Sequence, residues 1–166
     1  MRTFKSPYAD ENVMLHAPAI ISADTLNPAH VVPILSHFLA DIERESGQPY
    51  QGNHGIPDDA WKGDEHSFWE SDEASELWVE LYDAIQNYAP PYCDVGSNEG
   101  DGACIGVWPA VECAIEDFKE EELTFEDGAD VPTDYEGLWL HINDHGNVAL
   151  FFRDFQGRDT ELWSVV

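Results

Sequence analysis

The sequence predicts an α+β fold: an antiparallel sheet, including a C-terminal three-stranded meander, packed with two or three amphipathic helices. Three observations carry this expectation. Apolar residues recur at helical spacing in two separate stretches, around residues 34–42 and 77–88. After residue 137 the period changes to strict alternation, the pattern of half-buried strands. The chain has 166 residues, is 43% hydrophobic and holds six Trp, eight Phe and six Tyr, so it can bury a core of its own. Residues 1–166 are therefore read as one domain.

Taken in order, residues 1–11 read as a lead-in without the apolar run of a signal peptide. Residues 12–22 (NVMLHAPAIIS) read as one or two short strands broken at Pro18. Pro28 and Pro33 suggest a turn and then a helix with Pro33 in its first turn. Ile34, Leu35, Phe38, Leu39 and Ile42 face inward on that helix, which Gly47 stops. Residues 47–63 are loop by composition. A second helix follows, capped by Ser71 and ended by Pro90-Pro91, with Leu77, Trp78, Leu81, Ile85 and Tyr88 on its apolar side. Residues 92–102 (YCDVGSNEGDG) read as a Gly-rich loop, 103–108 as a short buried strand, and 109–118 as a third helix with Val111, Ile115 and Phe118 inward. In the C-terminal region Leu138, Leu140 and Ile142 alternate with Trp139 and His141, and Val148, Leu150 and Phe152 alternate again. Turns at 143–146 and 156–157 and a last strand at 162–166 complete the meander.

Charge is the unusual property. The chain has 7 Lys and Arg against 34 Asp and Glu, a net charge of −27. From Gly63 to Phe152 the only base is Lys119, set against 23 acids; that block carries −22, and the other 76 residues, with 6 bases and 11 acids, carry −5. A net charge of magnitude roughly 2–8 suffices for the solubility of a small domain, and charge beyond that opposes compaction. A halophilic surface would spread its acids evenly, which the uneven division does not match.

Two acidic runs concentrate the excess. On the second helix Asp72, Glu73, Glu76, Glu80 and Asp83 lie opposite the apolar side, and the stretch 64–88 has eight acids and no Lys or Arg. Asp72 and Glu73 fall in the first turn, where the helix dipole favours acids; Glu80 and Asp83 have no such reason. Glu73, Glu76, Glu80 and Asp83 are spaced by about 4.5–6 Å along a helix axis, which approximates the roughly 3.4 Å phosphate repeat of a DNA strand. The second run spans 119–136 and includes Glu120, Glu121, Glu122, Glu126 and Asp127. These ten residues are the candidate partner-binding set. Aromatic residues interleaved with them, such as Trp69, are candidates for an interface rim.

Catalytic chemistry finds little to stand on. There is no GxSxG, no nucleophile signature at Cys93, Cys104 or Cys113, no Walker A and no dinucleotide-binding glycine fingerprint. The odd number of cysteines fits free thiols in a reducing cytoplasm. Asp94 to Asp101 loosely suggests a Ca²⁺ loop but lacks the spacing and closing Glu of an EF-hand. His141, Asp144 and His145 cluster at a turn without a ligand set of zinc spacing. No cofactor is expected.

In size, charge and acidic stripes the chain resembles the small acidic proteins that phages and mobile elements direct against host defences, including DNA-mimic inhibitors of restriction and CRISPR complexes. No motif carries the resemblance, and it assigns no residue roles. It implies a non-enzymatic inhibitor in the cytoplasm of a bacterial host. Its partner would be a basic nucleic-acid-binding protein or complex, without direct nucleic-acid or membrane binding, and homodimerisation stays open. Two alternatives remain: an immunity or antitoxin-like neutraliser of a basic partner, and a metal-dependent enzyme using 94–101 or 141–145.

Overall fold

A computed structural model describes residues 3–5, 13–48 and 54–166. Among the described residues the fold is α+β, with three α-helices and the C-terminal meander the sequence predicts. The short pair β1 (Thr3–Lys5) and β2 (Val13–Leu15) is antiparallel. After β3 (Ala19–Ser22) comes α1 (Pro28–Glu45). It begins five residues before Pro33, because Asn27 caps it: the Asn27 side chain accepts from the Ala29 N–H at 3.0 Å, and Pro28 takes the first helical position. Pro33 lies inside the helix rather than in its first turn. Val31, Val32, Leu35, Leu39 and Ile42 are buried, whereas Ile34 is exposed. Gly47, at φ 76°, closes α1: the Gln48 N–H reaches back to Glu43 O and the Gly47 N–H to Arg44 O.

The second helix, α2, covers Asp72–Gln86, with the Ser71 hydroxyl accepting from the Ala74 N–H. Ala74, Leu77, Leu81 and Ile85 are buried, and α2 packs on α1 and on the next strand. Residues 92–102 are not a loop. Cys93–Asn98 form β4 and Asp101–Pro109 form β5, an antiparallel hairpin joined to β3 in the order β3-β5-β4. The glycines that suggested a loop serve close packing instead. Gly96 and Gly106 face each other across the hairpin, and the Trp108 indole lies over them with its N–H on Gly96 O at 2.9 Å. A Cβ on Gly106 would stand 2.2 Å from Ala19 O and 2.7 Å from the Trp108 ring. Gly106→Ala is therefore expected to lower stability by about 3 kcal/mol, read from denaturant unfolding. The outer edge of β4 is covered by one side chain of α2: Gln86 donates to Cys93 O at 2.7 Å and accepts from the Val95 N–H at 2.8 Å.

The third helix, α3, is Val111–Glu120, with Ala114 and Phe118 buried and Val111 and Ile115 packed against the core. It leads into a four-stranded sheet ordered β6 (Thr124–Phe125), β7 (Gly137–Ile142), β8 (Val148–Arg153), β9 (Asp159–Val165). β6 is parallel to β7, and β7-β8-β9 form the antiparallel meander. The Trp163 indole N–H donates to Pro91 O at 2.8 Å and Ala17 bridges Trp163, tying this sheet to the rest. Leu15, Leu35, Ile42, Leu81, Ile85, Ile105, Leu140, Leu150 and Trp163, from α1, α2 and all three sheets, belong to one hydrophobic cluster.

Candidate functional site

Asp72, Glu73, Glu76, Glu80 and Asp83 are all exposed along one side of α2. The Glu73 carboxyl is held below the usual carboxylate range by its own backbone N–H and the Ser71 hydroxyl. That fits the cap and dipole account of the first turn. Among the described residues no Lys or Arg pairs with any of the five. The described arginines are engaged elsewhere: Arg44 with Asp41, Arg153 with Asp159, Arg158 with Asp154. Amid the acids stands Val79, 58% exposed, three residues after Glu76 and four before Asp83. Val79 is not among the candidates that spacing selects, although an apolar residue off the apolar side is visible in the sequence as a break in the pattern. Such a residue ringed by charge suits a contact that loses its water on binding.

The second run is carried by a different layer. Glu120, Glu121 and Glu122 lie exposed at the C-terminal end of α3, which packs on β6 and β7. Acids here oppose the helix dipole, at a cost of about 0.3–1 kcal/mol each. The cap makes the point more sharply. The Leu123 N–H bonds Phe118 O and the Glu122 N–H bonds Lys119 O, as at the end of α1. In α1 the left-handed position is filled by Gly47, whereas in α3 it is filled by Glu122 at φ 58°. Glu122→Gly is expected to raise stability by about 1 kcal/mol, measured by thermal unfolding. A position where glycine would be more stable carries a charge, so stability does not account for it.

Glu126 and Asp127 continue the run along the outer face of the C-terminal sheet. Asp127 caps a single 3₁₀ turn (Gly128–Asp130), accepting from the Ala129 N–H at 2.9 Å. Glu126 O accepts from His141 Nε2 at 3.0 Å. The segment is held down by Arg153, which makes a bidentate pair with Asp159 at 2.8 and 2.7 Å and donates to Val131 O at 2.9 Å and Gly128 O at 2.8 Å. The Trp139 indole N–H also donates to Asp159, at 3.0 Å. Arg153 first, and Trp139 with it, keep the Asp159 carboxyl below its usual range, and Asp159 raises the Arg153 value in turn. The alternation that sends Leu140 inward thus sends Trp139 not into solvent but under this segment, where it is 2% exposed.

The other sequence candidates sort themselves by position. Trp69 is buried, its indole N–H on Gly63 O at 3.2 Å, and is not at a rim. Asp94 lies on β4 and Asp101 opens β5, where its carboxylate accepts from the Ala103 N–H. His145 sits in a turn whose N–H bonds the Asn143 side chain. Among the described residues no group of three His, Cys, Asp or Glu is placed to hold a metal ion. Cys93, Cys104 and Cys113 are unpaired in disulfides. No helix of the described residues is long and apolar enough to cross a membrane.

One polar network was not legible in the sequence. Ser36 Oγ lies 2.9 Å from His54 Nδ1, and His54 Nε2 lies 3.1 Å from Glu43 Oε2. The order of groups is that of a nucleophile, base and orienting acid. Ser36, however, is 1% exposed in the middle of α1, so its oxygen is closed off from solvent. The network ties the chain at His54 onto α1. Comparison with family models, with curated proteins and with solved structures finds no match to this chain.

Proposed function

We propose that the protein is a non-enzymatic inhibitor that acts as a DNA mimic and occupies the basic nucleic-acid-binding groove of a host defence complex of the restriction or CRISPR type. The observation that carries this reading is the exposed α2 face: Glu76, Glu80 and Asp83 stand on a rigid helix with no described cation paired to them. Ordinary exposed helices neutralise such a row with Lys or Arg three or four residues away. The unfavourably placed Glu120–Glu122 at the end of α3 support the same reading from a second place. Electrostatic attraction would speed encounter, and shape with a few apolar contacts such as Val79 would select the partner.

The test is capture by the tagged protein from nuclease-treated bacterial lysate over a series of salt concentrations. A nucleic-acid-binding complex retained at low salt, lost as salt rises and displaced by duplex DNA supports mimicry. A partner that DNA does not displace contradicts mimicry and points to an immunity-like neutraliser.

A further inference from the structure

Glu126, Asp127, Gly128, His141, Phe151 and Asp159 line a cleft of about 410 Å³, and Trp139, only 2% exposed, lies buried beneath it, so the half-buried Phe151 and His141 are its accessible rings. Trp139 and Phe151 stack across β7 and β8, centroids 4.7 Å apart and planes 14° apart, and His141 meets Phe151 edge-on at 6.4 Å. Phe125 closes on Trp139 at 6.1 Å. The cleft thus sets the accessible rings of Phe151 and His141 beside two exposed acidic residues, Glu126 and Asp127, that form no ion pair with any described residue.

We propose that this cleft is a binding site for a guanidinium, the side chain of an arginine presented by the protein's basic partner. The inference deepens the reading of a basic partner and rests on it. Three features point to this occupant. The first is charge complementarity: Glu126 and Asp127, two acidic residues without a described cation, line a cleft in a chain of net charge −27. The second is shape. A planar, weakly hydrated guanidinium stacks on aromatic rings while its fork meets carboxylates, which a compact, strongly hydrated ammonium does less well. The third is the chain's own use of the same chemistry: Arg153 lies 6.0 Å from the Trp139 ring centre and forks onto Asp159. The cleft brings together the same kinds of group, with the Phe151 and His141 rings beside Glu126 and Asp127, which have no described cation.

The site is tested with the full chain and a defined probe. N-acetyl-arginine amide is titrated at low salt while the resonances of the Trp139 indole N–H and the His141 ring are followed by NMR, with N-acetyl-lysine amide in parallel. The expected result is a saturable shift at both residues, with arginine binding about threefold or more tighter than lysine. Glu126→Gln combined with Asp127→Asn should weaken the arginine response by a similar factor. The variant should fold, because Asn keeps the oxygen that caps Ala129 and Glu126 uses only its backbone carbonyl in the structure. An equal response to the two amides, or an arginine response unchanged in the double variant, overturns the site. The probe needs no nucleic-acid-binding partner. A saturable arginine response in a chain whose captured partner DNA fails to displace would contradict the mimic alone. Displacement without an arginine response would contradict the cleft alone.

Discussion

Replacing Glu76, Glu80 and Asp83 together by Lys is expected to weaken binding to the captured partner by on the order of a hundredfold or more, while the fold stays intact. Each exposed charge pair contributes roughly 0.2–1 kcal/mol, reversal replaces attraction by repulsion, and three such changes act on one face. The three side chains are exposed and take part in no described ion pair, so their replacement removes nothing from the core. Stability should even rise. The net charge moves six units toward zero from −27, and a lysine at position 76 stands four residues after Asp72, the favourable order for a helix pair. Asp72 and Glu73 are the contrast: neutralising them should lower the thermal midpoint, because they lie in the first turn at the helix N-terminus. Isothermal titration beside thermal unfolding separates the effects. Unchanged affinity in a folded triple variant would show that α2 is not the contact.

Arg153→Met is expected to be the most destabilising single change, at about 3–5 kcal/mol, enough to unfold much of a marginally stable domain. Arg153 is 7% exposed and satisfies Gly128 O, Val131 O and the Asp159 carboxylate at once. Its removal leaves Asp159 without its cation and frees the segment that covers Trp139. The companion change, Asp159→Asn, adds a pH signature. Asp159 is held below its ordinary value of 3.8 in the folded state, so its contribution is fully present above that value and is lost as pH falls through the lowered folded value. The stability gap between wild type and Asp159→Asn should therefore be constant at neutral pH and close on acidification. Denaturant midpoints of the two proteins at each pH measure this gap, and effects shared by the other acids cancel in the difference. A gap that persists at the lowest pH would contradict the ion pair.

The two helices with long apolar sides and the meander were legible because their periodicity spans many residues. Even so, α1 starts earlier than Pro33 suggests, because Asn27-Pro28 carry the cap that the helix uses. The β4-β5 hairpin was hidden because Gly96 and Gly106 weaken every local strand signal; their reason is the Trp108 ring above them and the Ala19 backbone beside them, contacts made only in three dimensions. The acidic stripe on α2 was legible from spacing alone, and all ten candidate acids are exposed in the structure. What spacing could not show is the difference among them. Asp127 serves as a cap, Glu122 occupies a left-handed position, and the Glu126–Asp127 pair borders an aromatic cleft. The cleft depends on Arg153 meeting Asp159 across β8 and β9 and on residues 128–131 folding over Trp139. None of these pairings is local in sequence.

If the protein is a DNA mimic as proposed, the acidic α2 face and DNA compete for one groove. The most direct measurement is a titration of this protein into the captured partner already bound to a labelled duplex, repeated at several DNA concentrations. Competition predicts complete release of the duplex and an apparent affinity that weakens in proportion to the DNA present, without limit. A plateau with duplex still bound, or a stable complex of all three components, would contradict it.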